Sequence, residues 1–443
     1  MTAQLTAGLP HPPYGDHVLY HMYSMGGSPP TARAWEFSGW RQETMSWKSG
    51  CYIHAGLAGA GVVEIKGPNA AEYLQGLLIN SLDRFPIGSM KHGVMCNEGG
   101  LITSHGIIER LADDVFHSYA GGPPGIFGIP DAPDGVQIDR LPIFLFQIAG
   151  PTSLDLLEEV TGESLRDLKF LRFREAQVAG VKVEVARIGM SGGLAYELHG
   201  PMDSAAIIYD TVYQTGKDFG IERLGWGSYL VNHVEGGFPQ ATWTFVPAAN
   251  TPDEWDFMRT KVWQTLGSVD PADMRARTRT PVEVNWHNMA KFDHDFVGRA
   301  ALEAEIADPK RTTVTLRWNH EDVMDVYASL FRDGESFKPF DLPYTPQRWP
   351  MAYADHVTQG SESVGYSSGT VYSYHFREML SMGCIDIDQA DIGNEVTVYW
   401  GDFGGRMKEI RATVERFPYL TDRRNSDLDV TTITRTQNGP GQQ

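Results

Sequence analysis

The stretch VAGVKVEVARIGMSGGLAYELHG, from Val178 to Gly200, decides how the rest of the chain is read. Val181, Val183 and Val185 alternate as on a strand; Arg187 follows, and a turn of small residues from Gly189 to Gly193 leads into Tyr196-Glu197-Leu198. Glycine lets a backbone turn sharply or come close to a flat ligand. Glu197, flanked by Tyr196 and Leu198, is set half-buried beside that turn, and a carboxylate out of water needs donors. Two readings are open. Either Glu197 pairs with Arg187 across a hairpin, or it accepts hydrogen bonds from the N–H groups of a planar heterocycle.

Working outward, 443 residues suffice for two or three domains, and 42% hydrophobic with 21% charged residues is ordinary for a globular chain. No apolar run reaches the roughly 18 to 20 residues of a membrane span, and the first thirty residues lack a basic start and an apolar stretch. The expected location is the cytoplasm, with no membrane partner. Cys51, Cys96 and Cys384 are far apart and form no CxxC pair, so neither a disulfide framework nor a zinc site is expected. A net charge of −19 without a Lys/Arg cluster argues against nucleic acid. The sequence leaves the oligomeric state open.

Residues 1–34 carry Pro10, Pro12, Pro13, Pro29 and Pro30 and read as an arm, whose Tyr20, His21 and Tyr23 either dock it or reach a pocket. Ala34 to Ser49 reads as a helix with Trp40, Met45 and Trp47 on one core-facing side. A strand, Gly-Pro, helix pattern at Gly61 to Gln75 recurs at Gln147 to Leu157, a weak repeat. It predicts two related α+β halves, 35–150 and 151–305, whose sheets face each other across a cavity. Residues 201–216 read as a helix with Ala205, Ile207, Ile208 and Val212 on its apolar face, and 250–280 as a charged surface insertion. Closely spaced strands over 306–425 predict an antiparallel β-barrel, and 426–443 a disordered tail. His294 lies between Asp293 and Asp295 with no second ligand cluster nearby, so no metal is expected.

Arg187, Gly189, Ser191-Gly192, Tyr196 and Glu197 resemble the Arg-x-Gly-Tyr-Thr-Gly-Glu-x-Gly-Phe-Glu signature of the aminomethyltransferase (glycine-cleavage T-protein) family. Met190, Ser191, Gly193, Ala195 and Tyr196 depart from it, and only the closing carboxylate carries over. The resemblance continues through Asn80-Ser81-Leu82, His92 to Asn97, Ile107 to Leu111, Val234-Glu235-Gly236-Gly237 and Gly365 to Gly369. Lys291 to Leu302 (KFDHDFVGRAAL) resembles a segment of the tetrahydrofolate-dependent vanillate, 3-O-methylgallate and syringate O-demethylases of the same superfamily.

The resemblance implies an α+β, T-protein-like folate-binding domain followed by the barrel. It implies tetrahydrofolate as methyl acceptor and a small methoxy-aromatic substrate that leaves as a phenol. Glu197 would hold the pterin with Arg187 and Tyr196 beside it, and Phe238, Trp243 and Trp286 would line the channel. His105 stands where the family usually has an Asp, and His92 where a Tyr is common. In-line displacement of a phenolate-like oxygen calls for a donor with a pKa near the operating pH, which makes His105 the first choice and His92 the second. His54 and Tyr23 are further candidates. Ser118 to Pro123 is neutral where the demethylases have an Arg for a substrate carboxylate, so either that geometry is absent or another residue supplies it. A sulfonium or N-methyl demethylase, or a folate-binding protein without turnover, are the alternatives.

Overall fold

Val181–Ala186 and Ala195–Pro201 pair antiparallel on either side of the glycine turn. Ala195–Pro201 is an inner strand of a six-stranded sheet ordered Phe173–Val178, Val181–Ala186, Ala195–Pro201, Ile143–Ala149, Cys51–His54, Ile221–Arg223. The computed structural model describes residues 19–23, 31–55, 62–119, 129–342, 351–421 and 424–435. A five-stranded sheet is ordered Ser89–Cys96, Ile102–Ala112, Val115–Ser118, Val62–Lys66, Gln137–Leu141.

The two sheets do not divide at residue 150. Cys51–His54 and Ile143–Ala149 come from the earlier stretch yet lie in the six-stranded sheet. Both are buried on nearly every residue, and a run that is apolar on both faces belongs inside a sheet covered on both sides. The repeat itself is present in the backbone. Gly67 and Gly150 have φ of 123° and 128°, and an added Cβ would lie 2.4 Å from Gly135 O and 2.3 Å from Gly50 O. Each glycine lets backbone press on backbone before its helix, Ala70–Leu77 or Ser153–Thr161.

Six antiparallel strands, Arg311–Trp318, Glu378–Asp386, Glu362–Ser373, Asp355–Gln359, Glu395–Trp400 and Lys408–Glu415, close the predicted barrel. Trp318, Phe340 and Trp400 fill it, with Phe340 stacked on Trp400 at 4.5 Å between centroids. Val371, Leu380 and Met382 of the barrel pack against Trp47, Tyr52, Val234 and Trp243. Glu235 fixes this junction, bonded to Lys48 Nζ at 2.8 Å and Ser373 Oγ at 2.6 Å.

Several local expectations change. Thr31–Glu36 is a strand paired with Leu19–Tyr23, and the helix begins only at Trp40, after Gly39 with φ 99°. Trp47 is core, whereas Trp40 packs edge-on against Tyr372 and Tyr374. The side chains of Tyr20, His21 and Tyr23 lie outside the described residues. Ile207 is 53% exposed, so the apolar face of helix Ala205–Gly216 is Ala205, Ile208 and Val212. The 250–280 segment is built in, with Met258, Trp263, Val269 and Ala276 buried. There Arg277, 1% exposed, donates to the carbonyls of Leu266, Val269, Asp270 and Asp273, so its charge serves the interior.

The tail is ordered as far as residue 435. Val430 is buried in the six-stranded sheet's core, with Leu428 and Ile433 packed against it; three apolar residues spaced two and three apart are enough to anchor a polar segment. Residues 436–443 lie outside the described residues. Arg187 holds this segment: Nε donates to Asn425 Oδ1, Nη2 to the carbonyls of Asn425 and Leu428, and Nη1 to that of Leu168. Arg187→Met would leave those carbonyls unpaired and is expected to cost about 3 kcal/mol. A drop in Tm and new protease cleavage between residues 424 and 435 would show it; unchanged melting and cleavage would refute it.

Candidate active site

Strand register puts the first group of polar residues on one face of the six-stranded sheet. Glu197 lies opposite Gln147, Gln147 opposite His54, and Tyr52 is two residues from His54. Tyr196 and Leu198 alternate onto the other face and join the apolar core, so Tyr196 does not flank the carboxylate as the sequence implied. Arg187 is equally removed, its donors being taken by Leu168 and the C-terminal segment. Glu197 is 6% exposed; Gln147 Nε2 is 3.4 Å from Oε1 and His199 Nε2 is 3.1 Å from Oε2. Tyr52 donates to Gln147 Oε1 at 2.5 Å and accepts from Asn232 Nδ2 at 3.1 Å.

The two sheets meet at His199. Its Nδ1 is 3.1 Å from Glu184 Oε1 on the adjacent strand and 3.3 Å from Glu109 Oε1 on the facing sheet. Tyr119 donates to Glu109 Oε2 at 2.9 Å and lies 3.0 Å from His199 Nδ1. Burial opposes a charge on His199, but Glu109, Glu184 and Glu197 outweigh it and hold its pKa well above the usual imidazole value. Burial also works against Glu109, yet His117 and His199 bring it down to about 2, while burial and then the charge of Glu109 push Glu184 up to about 7. Glu109, Glu184 and His199 place ligand atoms within 4.8 Å of one another. With carboxylates at both ring nitrogens, the arrangement is that of an ion-paired imidazolium.

Strand Ile102–Ala112 carries Glu109, Ile107 and His105 on one face, with Glu109 and His105 four residues apart, on the order of 13 Å. His105 and His92 are diagonal neighbours in the hairpin. His92 Nε2 is 3.1 Å from His105 Nδ1, and Ala241 N–H donates to His105 Nε2 at 3.1 Å. A backbone N–H can only donate, so neutral His105 carries its proton on Nδ1 and gives it to His92 Nε2, leaving the His92 proton on Nδ1. Burial pushes His92 down to about 4; burial, then His92 and His233, hold His105 well below the usual value. Both are therefore neutral at pH 7, and neither matches the expected donor with a pKa near the operating pH. His105, with both nitrogens engaged, has no N–H free for a substrate.

Aromatic rings surround this pair. Trp286 lies 4.6 Å from His92 and 4.8 Å from His105, Phe238 5.5 Å from His92, and Phe245 5.8 Å from His105, between centroids. Trp243 faces the barrel junction instead, where a Cβ on Gly369 would lie 3.4 Å from its Nε1; Phe245 takes the place expected for it. The demethylase-like segment is held near Trp286 by gripping Leu78 and Ile79, just after helix Ala70–Leu77. His294 Nε2 is 2.9 Å from Leu78 O, Lys291 N–H donates to Ile79 O, and Arg299 Nη1 holds His294 O at 2.8 Å. His294 Nδ1 is 2.8 Å from Asp293, so both its nitrogens are used within the protein. His54 stacks on Tyr229 at 4.0 Å.

On helix Trp226–Gly236, Asn232 Oδ1 and His233 Nε2 are buried acceptors without a partner among the described residues. His233 gives its Nδ1–H to Tyr229 O at 3.0 Å, and burial pushes it down to about 4, so Nε2 is a bare lone pair. Unpaired buried acceptors suit a ligand rich in N–H donors, and a reduced pterin is one. Sequence reading missed His199, Glu109, Tyr119, Gln147 and Asn232. Period-two alternation from Glu197 points to His199; the rest come from distant strands and a helix.

A family model described as the GCVT N-terminal domain matches residues 22–245. A sesamin methylene transferase of Sinomonas sp. (strain No.22) is 36% identical over 421 residues, covering 90% of this chain and 93% of the relative. A syringate O-demethylase of Sphingobium sp. (strain NBRC 103272 / SYK-6) is 28% identical over 423 residues, covering 89% of this chain and 91% of the relative. The solved glycine cleavage system aminomethyltransferase T of Bartonella henselae shares the fold, with a TM-score of 0.66 at 16% identity, over 91% of this chain and 95% of that one. The chain belongs to the GCVT family, whose members pass a one-carbon unit to tetrahydrofolate.

Proposed function

We propose that the protein is a tetrahydrofolate-dependent transferase that removes a one-carbon group from an aryl ether and releases a phenol. The observation that carries this reading is the cluster of aromatic rings around the neutral His92–His105 pair, at the other end of the strand face from the Glu197 network. Bound tetrahydrofolate supplies the nucleophilic nitrogen that accepts the carbon. Glu197 accepts N–H donors of the pterin edge, and Asn232 Oδ1 and His233 Nε2 are available for further donors. Phe238, Phe245 and Trp286 exclude water and confine the aryl ring, which favours an in-line approach.

His92 offers its Nδ1–H to the departing oxygen, and His105 fixes its tautomer. The donor is a neutral imidazole, so it stabilises the phenolate by a hydrogen bond, as an oxyanion-hole donor does. The lining is neutral, which suits a substrate without a carboxylate; Ala120 to Pro123 lie outside the described residues. The departing group is a methyl ether or a methylene bridge. Similarity to the sesamin methylene transferase favours the bridge, and similarity to the syringate O-demethylase favours the methyl.

Incubation with tetrahydrofolate and a panel of methoxy- and methylenedioxy-aromatics separates the two by whether the folate gains a methyl or a methylene. No turnover on any aryl ether would sink the proposal. Glu197→Gln is expected to weaken reduced-folate binding roughly tenfold or more, as read by titration; unchanged affinity would remove Glu197 from the site. His92→Ala is expected to lower kcat about a hundredfold with little change in KM. Because burial holds His92 at about 4, it is neutral above that value, and kcat should show no His92 limb between pH 6 and 8. A limb in that range that vanishes in His92→Ala would overturn the neutral-donor assignment.

A further inference from the structure

The proposed folate site rests on a carboxylate that is itself held by a residue with no assigned role. We infer that His199 is a positioning residue for Glu197, bridging it to Glu184 on the next strand and Glu109 on the facing sheet, so that reduced-folate binding depends on the contact between the two sheets. This rests on Glu197 being the pterin-binding group.

The geometry sets the protonation. Nε2 faces Glu197 Oε2 at 3.1 Å, and Nδ1 faces Glu184 Oε1 at 3.1 Å and Glu109 Oε1 at 3.3 Å. The facing oxygens of Glu197 and Glu109 are hydrogen-bond acceptors, so both ring nitrogens carry hydrogen. The remaining titratable neighbours oppose no charge on the ring: Tyr119 OH donates to Glu109 Oε2, and His117 Nδ1 lies 3.4 Å from Glu109 with Nε2 3.8 Å from Glu64. Gln147, on the other side of Glu197, is neutral. A charged clamp of this kind holds Oε2 of Glu197 while Gln147 meets Oε1, and so orients the carboxylate where water is scarce. His199 touches neither reacting carbon nor leaving oxygen, so its effect falls on binding and orientation.

His199 has its pKa raised, so the clamp is complete below the unfolded value and is lost as pH rises through the folded value, well above 6.5. Removing Glu184's charge lowers that folded value and moves the loss to lower pH. The test is affinity for 5-formyltetrahydrofolate, a stable reduced folate, from pH 6 to 10. Wild-type protein is expected to bind with an alkaline loss of affinity. His199→Gln should bind at least roughly tenfold more weakly at pH 7 without that loss, and Glu184→Gln should lose affinity at lower pH than wild type does. Should His199→Gln fail to fold, Glu184→Gln and the ¹⁵N shifts of the His199 ring in wild-type protein remain; both nitrogens should be protonated at pH 8. Wild-type affinity in His199→Gln, an unmoved alkaline limb in Glu184→Gln, or a neutral ring at pH 8 would each overturn the inference while leaving the proposed function standing. No folate binding by the wild-type protein would overturn both.

Discussion

The contact between His199 and Glu109 joins the two sheets at the point where the chemistry is arranged. An imidazolium among Glu109, Glu184 and Glu197 costs much desolvation, and each charge is tolerable only while the others are in place. Such a cluster contributes little net stability compared with an apolar core. It does specify one arrangement, because sliding the sheets by a residue would leave several buried charges unpaired. That specificity places Glu109, Ile107 and His105 in line, so the His92–His105 pair stands at a set distance from Glu197.

The same requirement for paired groups sets the chemistry at the other end. Ala241's N–H fixes the His105 tautomer, and His105 fixes that of His92. Burial keeps both rings neutral, so the pair acts as an oriented donor and not as a store of protons. The 291–302 segment beside Trp286 is bolted to Leu78 and Ile79 through His294 and Lys291, and Arg299 holds the segment together. A segment that looks like a metal motif in one dimension is a bracket in three.

Much of the fold was legible in the chain. Strand alternation on either side of Gly189 to Gly193, the paired Gly-Pro turns and the close strands of the barrel all follow from local periodicity and backbone freedom, which are properties of neighbouring residues. The readings that needed correction share a different cause. The helix face containing Ile207 was read from spacing, and the surface insertion at 250–280 and the disordered tail from composition, whereas burial depends on what packs against a segment. Arg277 is a charged residue turned inward, and Val430 an apolar one that anchors a polar tail.

By itself the sequence determined that a carboxylate, Glu197, follows a glycine-rich turn, that His92 and His105 stand in one hairpin, and that Phe238 and Trp286 are at hand. Only the tertiary structure decided their partners. It gave Arg187 to the C-terminal segment, Tyr196 to the core and Trp243 to the barrel junction, and it brought His199, Glu109 and Asn232 to the carboxylate's side. The reason is physical: a strand's period fixes which residues share a face, but which other face they meet depends on how two sheets and a helix satisfy their buried polar groups together.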